Sequence, residues 1–363
     1  MPKRTTRLLL VLAILVACRG PAPELDRGTC THLEASRRVR GVALCEDVWT
    51  CDRPPGGPHD RLGIRHLAPC GNLIGPVAFV LPDRHASSET GQTDADADVR
   101  LYLAQAGVQT WSLDYRTHGI GILDDDPAAI MAEWTHDTFV GDVVWAVAFV
   151  RGVSPKPLAL VGIGDGATLA YAAAAVGVPG IAGVVAIAGA LEPAPAVDGS
   201  TTVVEARVGT LDREAGERLV RFARLGARNP SPIPGFVTAG EALADALHRA
   251  PGWGAPGGLA SATMVPADPT VIARYLASQD RWWPAAVARH AAPAAPPRPL
   301  PVLAFAAGAR GEEWIRRVQA AATAFAGDRA DVRVLGGQGH LDVILGRQAV
   351  RRVYEPTRQW LGE

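Results

Sequence analysis

A short glycine-rich turn is the first place where this sequence could carry chemistry. Residues 162–166 read Gly-Ile-Gly-Asp-Gly, between the apolar run Leu158–Val161 and the alanine-rich stretch Ala167–Val176. A Gly-x-Ser-x-Gly turn between a strand and a helix presents a serine nucleophile. Here Gly164 stands at the serine position and has no side chain that could attack. Glycine keeps such a strained turn at little cost while removing the reactive atom.

Asp165 gives the same turn a second interpretation. If the turn is shifted by one residue, Asp165 becomes its central residue. A carboxylate in that place could form an ester intermediate, which activated water then opens. Alternatively, Asp165 begins the following helix, where the helix dipole favours a carboxylate by about 0.3–1 kcal/mol. We favour the helix-terminal role and keep Asp165 as nucleophile for the alternative.

The elements that must position this turn alternate between strands and helices. Apolar strands are predicted at 76–81, 108–113, 158–161, 181–188, 301–306 and 332–335, and helices at 98–106, 128–151, 167–176, 312–325 and 349–361. Such strands indicate an α/β protein with a mostly parallel sheet covered by helices on both faces. Two earlier β-like stretches, 41–51 and 62–69, predict an antiparallel hairpin at the sheet edge.

A long segment interrupts this alternation. Residues 196–298 follow one predicted strand and precede the next, and a stretch of that length is improbable as a structureless loop in a compact domain. We therefore predict a mostly helical cap insertion over 196–298, within a core formed by 38–195 and 299–363.

Two further segments resemble the α/β-hydrolase superfamily, in particular its lipases and esterases. Val108–Gly119 is similar to the segment that ends in Asp-x-Arg-Gly-His-Gly after the fourth strand. Residues 337–342, Gly-Gln-Gly-His-Leu-Asp, resemble the Gly-x-Gly-His-x-Asp segment that presents the catalytic histidine. The resemblance covers most of residues 38–362. It implies the α/β-hydrolase fold, with the nucleophile, the acid and the histidine in that chain order.

The same resemblance assigns candidate roles to the remaining site residues. It makes His340 the base. The acid position after the strand at 301–306 is Gly311, so adjacent Glu312 or the earlier Glu192 would have to substitute, although an exposed loop carboxylate is the simpler interpretation of Glu192. The oxyanion region comprises Pro82, Asp83, Ile163 and Asp165. An acidic side chain such as that of Asp83 would oppose a developing oxyanion.

The N-terminus predicts export. A basic start is followed by the apolar run Leu8–Val16, which is too short to span a bilayer and is typical of a signal peptide. Residues 15–18, Leu-Val-Ala-Cys, resemble a bacterial lipobox, which implies cleavage before Cys18 and its diacylation. We therefore predict a signal peptide over 1–17, a lipidated Cys18, a tether over 18–37, and attachment to a bacterial membrane. Arg19, in place of an aspartate, favours the outer membrane.

Four further cysteines cluster near the start of the mature chain: Cys30, Cys45, Cys51 and Cys70. An even cysteine set in an exported protein predicts two disulfides, with three possible pairings. A zinc site is the alternative, but the spacings contain no Cys-x-x-Cys.

Composition and motifs together lead to one function hypothesis and its rivals. The net charge of −1 gives no indication of a nucleic-acid partner, and no cofactor or metal is expected. The leading hypothesis is a catalytically impaired hydrolase domain that binds a partner or a small apolar or ester-like ligand under the cap. One alternative is an active hydrolase of esters, epoxides or haloalkanes with Asp165 as nucleophile and His340 as base. Another is an interaction protein whose pocket is filled, with Trp282 and Trp283 in the cap core.

Overall fold

The computed structural model describes residues 30–38, 43–71, 74–88, 95–121, 126–191, 202–205, 225, 228–242, 271, 275, 278–287, 293 and 295–362. The described strands are β1 (Cys30–Arg38), β2 (Leu44–Asp52), β3 (Arg61–Pro69), β4 (Val77–Leu81), β5 (Gln109–Asp114), β6 (Leu158–Ile163), β7 (Ile181–Ile187), β8 (Val203–Glu205), β9 (Trp282–Pro284), β10 (Val302–Ala307) and β11 (Ala330–Leu335). The described α-helices are α1 (Val99–Gln105), α2 (Pro127–Ile130), α3 (His136–Val153), α4 (Asp165–Ala175), α5 (Glu312–Ala326), α6 (His340–Leu345) and α7 (Glu355–Gly362), and a π-helical segment, Val350–Tyr354, leads into α7.

Nine of these strands form one sheet in the order β1-β2-β3-β5-β4-β6-β7-β10-β11. The strands from β5 to β11 in this order pair in parallel, and β1, β2 and β3 form an antiparallel edge. This arrangement confirms the predicted mostly parallel sheet with a leading hairpin. The carboxyl ends of the parallel strands lie at the same end of the sheet, which brings together the segments after β4, β6 and β11.

Helices cover both faces of the sheet. Successive residues of β4 point to opposite faces, so that Phe79 joins the core beneath α3, α4 and α5, while Val80 joins the core beneath α1 and α6. Burial on both faces explains why the central strands are near-continuous apolar runs. No helix among the described residues has the length and apolar composition needed to cross a membrane.

The antiparallel edge of the sheet, formed by β1, β2 and β3, differs from the sequence prediction. The tether predicted over 18–37 is wrong for residues 30–37, because Cys30–Arg38 form β1 and pair antiparallel with β2. Disulfides Cys30–Cys51 and Cys45–Cys70 join the strands of this edge, which confirms two disulfides and selects one of the three pairings. Signal peptide 1–17, Cys18 and the tether up to residue 29 lie outside the described residues.

Two other segments also depart from expectation. The single helix predicted over 128–151 is divided into α2 and α3, because Thr135 caps α3 by a reciprocal hydrogen-bonded pair with Thr138. Most of the predicted cap lies outside the described residues. Its described part includes β8 and β9, which pair antiparallel as a separate two-stranded sheet.

Candidate functional site

The turn between β6 and α4 is a sharp strand-to-helix elbow with Gly164 at its apex. Gly164 has φ 53° and ψ −121°, in the left-handed half of the backbone map that favours glycine. A Cβ on Gly162 would lie 2.2 Å from Cα of Ala167, and one on Gly166 would lie 2.2 Å from the carbonyl oxygen of Leu81. Both positions therefore require glycine, and Gly164 lies midway between them at the centre of the turn.

The carboxylate of Asp83 fills the space that a side chain at Gly164 would need. A Cβ on Gly164 would lie 2.1 Å from Oδ1 and 2.4 Å from Oδ2 of Asp83. Asp83 follows β4, which pairs directly with β6 through Leu81 and Gly162. The adjacent strands thus bring the acidic residue of the predicted oxyanion region into the elbow itself. The sequence signal for this placement is an aspartate, Asp83, just after β4 and a glycine, Gly164, just after the neighbouring strand β6.

Two backbone amides bind the first oxygen of this carboxylate. The amides of Arg84 and Asp165 each donate to Asp83 Oδ1 at 2.8 Å. One amide comes from the residue after the apex and the other from the loop after β4, which are the two sources of oxyanion donors in this kind of elbow. Asp165 also begins α4, whose dipole favours negative charge. Asp83 Oδ1 therefore accepts hydrogen bonds from two backbone amides beside the N-terminus of α4.

His340 binds the second oxygen. Its Nε2 lies 2.8 Å from Asp83 Oδ2, and the two side chains are only 22% and 16% exposed. Burial raises the pKa of the Asp83 carboxyl, but the hydrogen bond and charge of His340, the Asp165 amide and Arg84 outweigh it and lower that pKa overall. Asp83 is therefore ionised at neutral pH. The nitrogen that would take a proton from a nucleophile is bound to a carboxylate instead.

Among the described residues, no acid contacts the other ring nitrogen of His340. Nδ1 is buried and has no hydrogen-bond partner among the residues that the structure describes. Gly311, at φ 89°, occupies the predicted acid position with open space around it, and Glu312 is exposed at the start of α5. Glu192 lies outside the described residues. Asp342 braces the histidine loop by accepting the Gly339 amide at 2.8 Å.

Asp165 is placed beside Arg84. Its Oδ2 lies 3.0 Å from Arg84 Nε, and in the described part of the chain no hydrogen bond joins its carboxylate to His340. Burial, together with neighbouring Asp83, raises the pKa of Asp165, while Arg84, His340 and Arg310 act in the opposite direction. Asp165 thus begins α4 and pairs with an arginine, and it is Asp83 whose carboxylate contacts the histidine.

The space around the site is small in the part of the chain that the structure describes. A cavity of about 30 Å³ lies beside the segment that follows β4, and Asp83, Ile163 and Tyr275 are among the residues that line it. Such a volume holds on the order of two water molecules. Trp283 is fully buried and packs against Tyr115 and Phe139 of the main core. Among the described residues, no cluster of three or more His, Cys, Asp or Glu side chains is arranged to hold a metal ion.

Comparisons with known proteins agree with this architecture. Neither a protein-family model nor a curated protein sequence matches the chain. The structure is similar to that of a proposed lipase from Sulfolobus solfataricus, with a TM-score of 0.71 and 20% identity, covering 92% of this chain and 98% of that one. It is also similar to an alpha/beta hydrolase fold protein from Nakamurella multipartita, with a TM-score of 0.51 and 14% identity, covering 83% and 96% of the two chains. The chain therefore has the α/β-hydrolase fold.

Proposed function

We propose that this domain has lost serine-hydrolase chemistry and acts by binding a ligand or a partner. The observation that carries the proposal is the Asp83 carboxylate, which occupies the nucleophile position, the two oxyanion amides and His340 Nε2 at once. A substrate carbonyl oxygen has no access to amides that already bind Asp83 Oδ1. Removing the nucleophile from such a site typically costs on the order of 10⁶ in kcat.

The proposed ligand is small and apolar or ester-like. Apolar residues that include Val80, Ala86 and Tyr275 line the small cavity beside the site, which would have to widen to admit such a ligand, and a protein of similar fold is described as a proposed lipase. Full burial of Trp283 supports the partner-binding form of the proposal. This tryptophan packs in the core, so its ring does not line a substrate pocket.

The rival proposal, an active hydrolase that uses Asp165 and His340, has weaker support. Asp165 pairs with Arg84 at 3.0 Å, and Asp83 separates the histidine from the elbow. An attack by Asp165 would require both carboxylates to move.

Activity measurements on the mature, disulfide-bonded protein test the loss of chemistry. The protein would be treated with a fluorophosphonate probe and assayed on a panel of esters, epoxides and haloalkanes, beside the variants His340→Ala and Asp165→Asn. We expect no probe adduct at the site and no turnover above that of His340→Ala, because in the described part of the chain the histidine contacts the Asp83 carboxylate and no hydroxyl or thiol. Turnover that disappears in both variants would instead establish the Asp165 mechanism, and a mapped probe adduct would reveal another nucleophile.

We also propose that the protein is a lipid-anchored envelope protein, with the outer membrane favoured over the inner. The two disulfides are consistent with export, and the basic-apolar start followed by Cys18 supports the anchor. Two acyl chains bind a membrane stably, because each buried CH₂ contributes about 0.8 kcal/mol.

Metabolic labelling of expressing bacteria with a palmitate analogue tests the anchor. The wild-type protein should incorporate the label and fractionate with outer membranes, whereas Cys18→Ser should do neither. Equal labelling of the two proteins would contradict the assignment of Cys18.

A further inference from the structure

We propose that Asp280 is a positioning residue that holds the Asp83 loop, Pro82–His85, closed over the oxyanion amides. The inference rests on the proposed function, because it concerns how the internal carboxylate is kept in the site. Asp280 lies about 200 residues further along the chain than this loop, just before β9. Asp280 would thereby couple the described part of the cap to the position of the Asp83 carboxylate.

The backbone of Asp280 holds the end of the loop directly. Its amide donates to the carbonyl oxygen of His85 at 2.6 Å, and its own carbonyl oxygen lies 3.0 Å from His85 Nδ1. His85 has φ 63°, one of two non-glycine residues with positive φ among those described. Such a conformation is unfavourable for a residue with a side chain and persists only where surrounding contacts impose it. The two hydrogen bonds from Asp280 are such contacts.

The side chain of Asp280 in turn fixes its backbone to the core. Its Oδ1 lies 2.8 Å from His118 Nδ1, and its Oδ2 accepts the hydroxyl of Thr117 at 3.3 Å. The hydrogen bond to Asp280, opposed in part by burial, raises the pKa of His118 to about 9, so that this histidine donates as a cation at neutral pH, while burial, opposed by His118, raises the pKa of Asp280. Both partners belong to the 3₁₀ turn Arg116–Gly119 that follows β5.

A continuous chain of contacts therefore runs from this turn through Asp280 and His85 to Asp83. The other end of the loop is held separately, because Tyr115 donates its hydroxyl hydrogen to the carbonyl oxygen of Pro82 at 2.9 Å. Loss of the Asp280 contacts would loosen the loop at His85, while Ser88, which donates its amide and hydroxyl to Asp114 Oδ1, would still anchor the chain just beyond it. The Asp83 carboxylate could then leave His340 and the Asp165 amide, which would expose both groups to a ligand oxygen.

Hydrogen exchange of the Asp165 amide, followed by NMR on the mature disulfide-bonded protein, tests this role. In the wild type the amide is protected by Asp83. We expect Asp280→Ala to accelerate its exchange by about tenfold or more, as the loss of charge-assisted hydrogen bonds implies. Asp280→Asn, which keeps neutral hydrogen bonds, should accelerate it less, and Asp83→Ala defines the rate of the unprotected amide.

Arg281→Ala is the matched control. Arg281 is the next residue, and its side chain pairs with Glu205 of β8 at 2.9 Å. Its variant should leave the Asp165 rate unchanged, and amides of β6 should keep their wild-type rates in every variant. Wild-type exchange in Asp280→Ala, or equal acceleration in Arg281→Ala, would overturn the role of Asp280. If Asp280→Ala does not fold, Asp280→Asn carries the same test. An amide already unprotected in the wild type would overturn the proposed function instead.

Discussion

Replacing Gly164 with alanine is expected to lower the free energy of unfolding by about 2–6 kcal/mol. A non-glycine residue at φ 53° and ψ −121° is strained by about 1–3 kcal/mol. The new Cβ would also lie 2.1 Å from Asp83 Oδ1, and overpacking of this kind typically costs a further ~1–3 kcal/mol. Chemical denaturation of the disulfide-bonded protein measures the change.

Two controls separate the strain from the clash. Gly311 has φ 89°, but a Cβ on this residue would have nothing within 4 Å, so Gly311→Ala should show the strain alone. In an Asp83→Ala background, Gly164→Ala should cost less than it does in the wild type. Two results would show that the Asp83 carboxylate is not in the elbow. Gly164→Ala would lower the free energy of unfolding no more than Gly311→Ala does, or it would lower it equally in the wild-type and Asp83→Ala backgrounds.

Replacing Arg116 with methionine is expected to lower the free energy of unfolding by about 3–5 kcal/mol. Its guanidinium is 2% exposed and binds Asp142 at 2.6 and 2.8 Å and Asp60 at 2.5 Å. The substitution leaves buried Asp60 without its cation and buried Asp142 with Arg53 alone at 3.1 Å, which costs far more than the net contribution of the intact network. Equilibrium unfolding in urea measures the loss.

Arg61→Met is the matched control for this prediction. Arg61 pairs with Asp52 at 2.9 Å, but both side chains are more than half exposed, and such a pair contributes ~0–1 kcal/mol. A loss in Arg116→Met no larger than in Arg61→Met would show that the buried network does not hold the turn after β5. The larger loss would give the Asp-x-Arg segment, which supported the family resemblance, a structural role in this chain.

Much of the fold could be predicted from the sequence because its central strands are buried on both faces. The apolar runs at β4, β6, β7 and β10 carry this signal directly. β1 lacks it, since Cys-Thr-His-Leu-Glu-Ala-Ser-Arg-Arg is polar and lies at the sheet edge, where pairing and a disulfide stabilise it. The break between α2 and α3 depends on the Thr135 cap, which a count of apolar spacing overlooks.

The site was predictable only where local sequence determines it. Gly164 at the apex follows from Gly162 and Gly166, because the turn leaves no room for side chains on either side. The role of Asp83 does not follow, because it depends on the direction of one side chain across two paired strands. The role of Asp280 depends on contacts with residues far away in the sequence, which no local pattern encodes.

A high-resolution crystal structure of the mature protein tests the central claim most directly. We predict continuous density for the Asp83 side chain in the elbow at Gly164, with Oδ1 within hydrogen-bond distance of the Arg84 and Asp165 amides and Oδ2 on His340 Nε2. An Asp83 side chain turned towards solvent, with water bound between His340 and those amides, would contradict it.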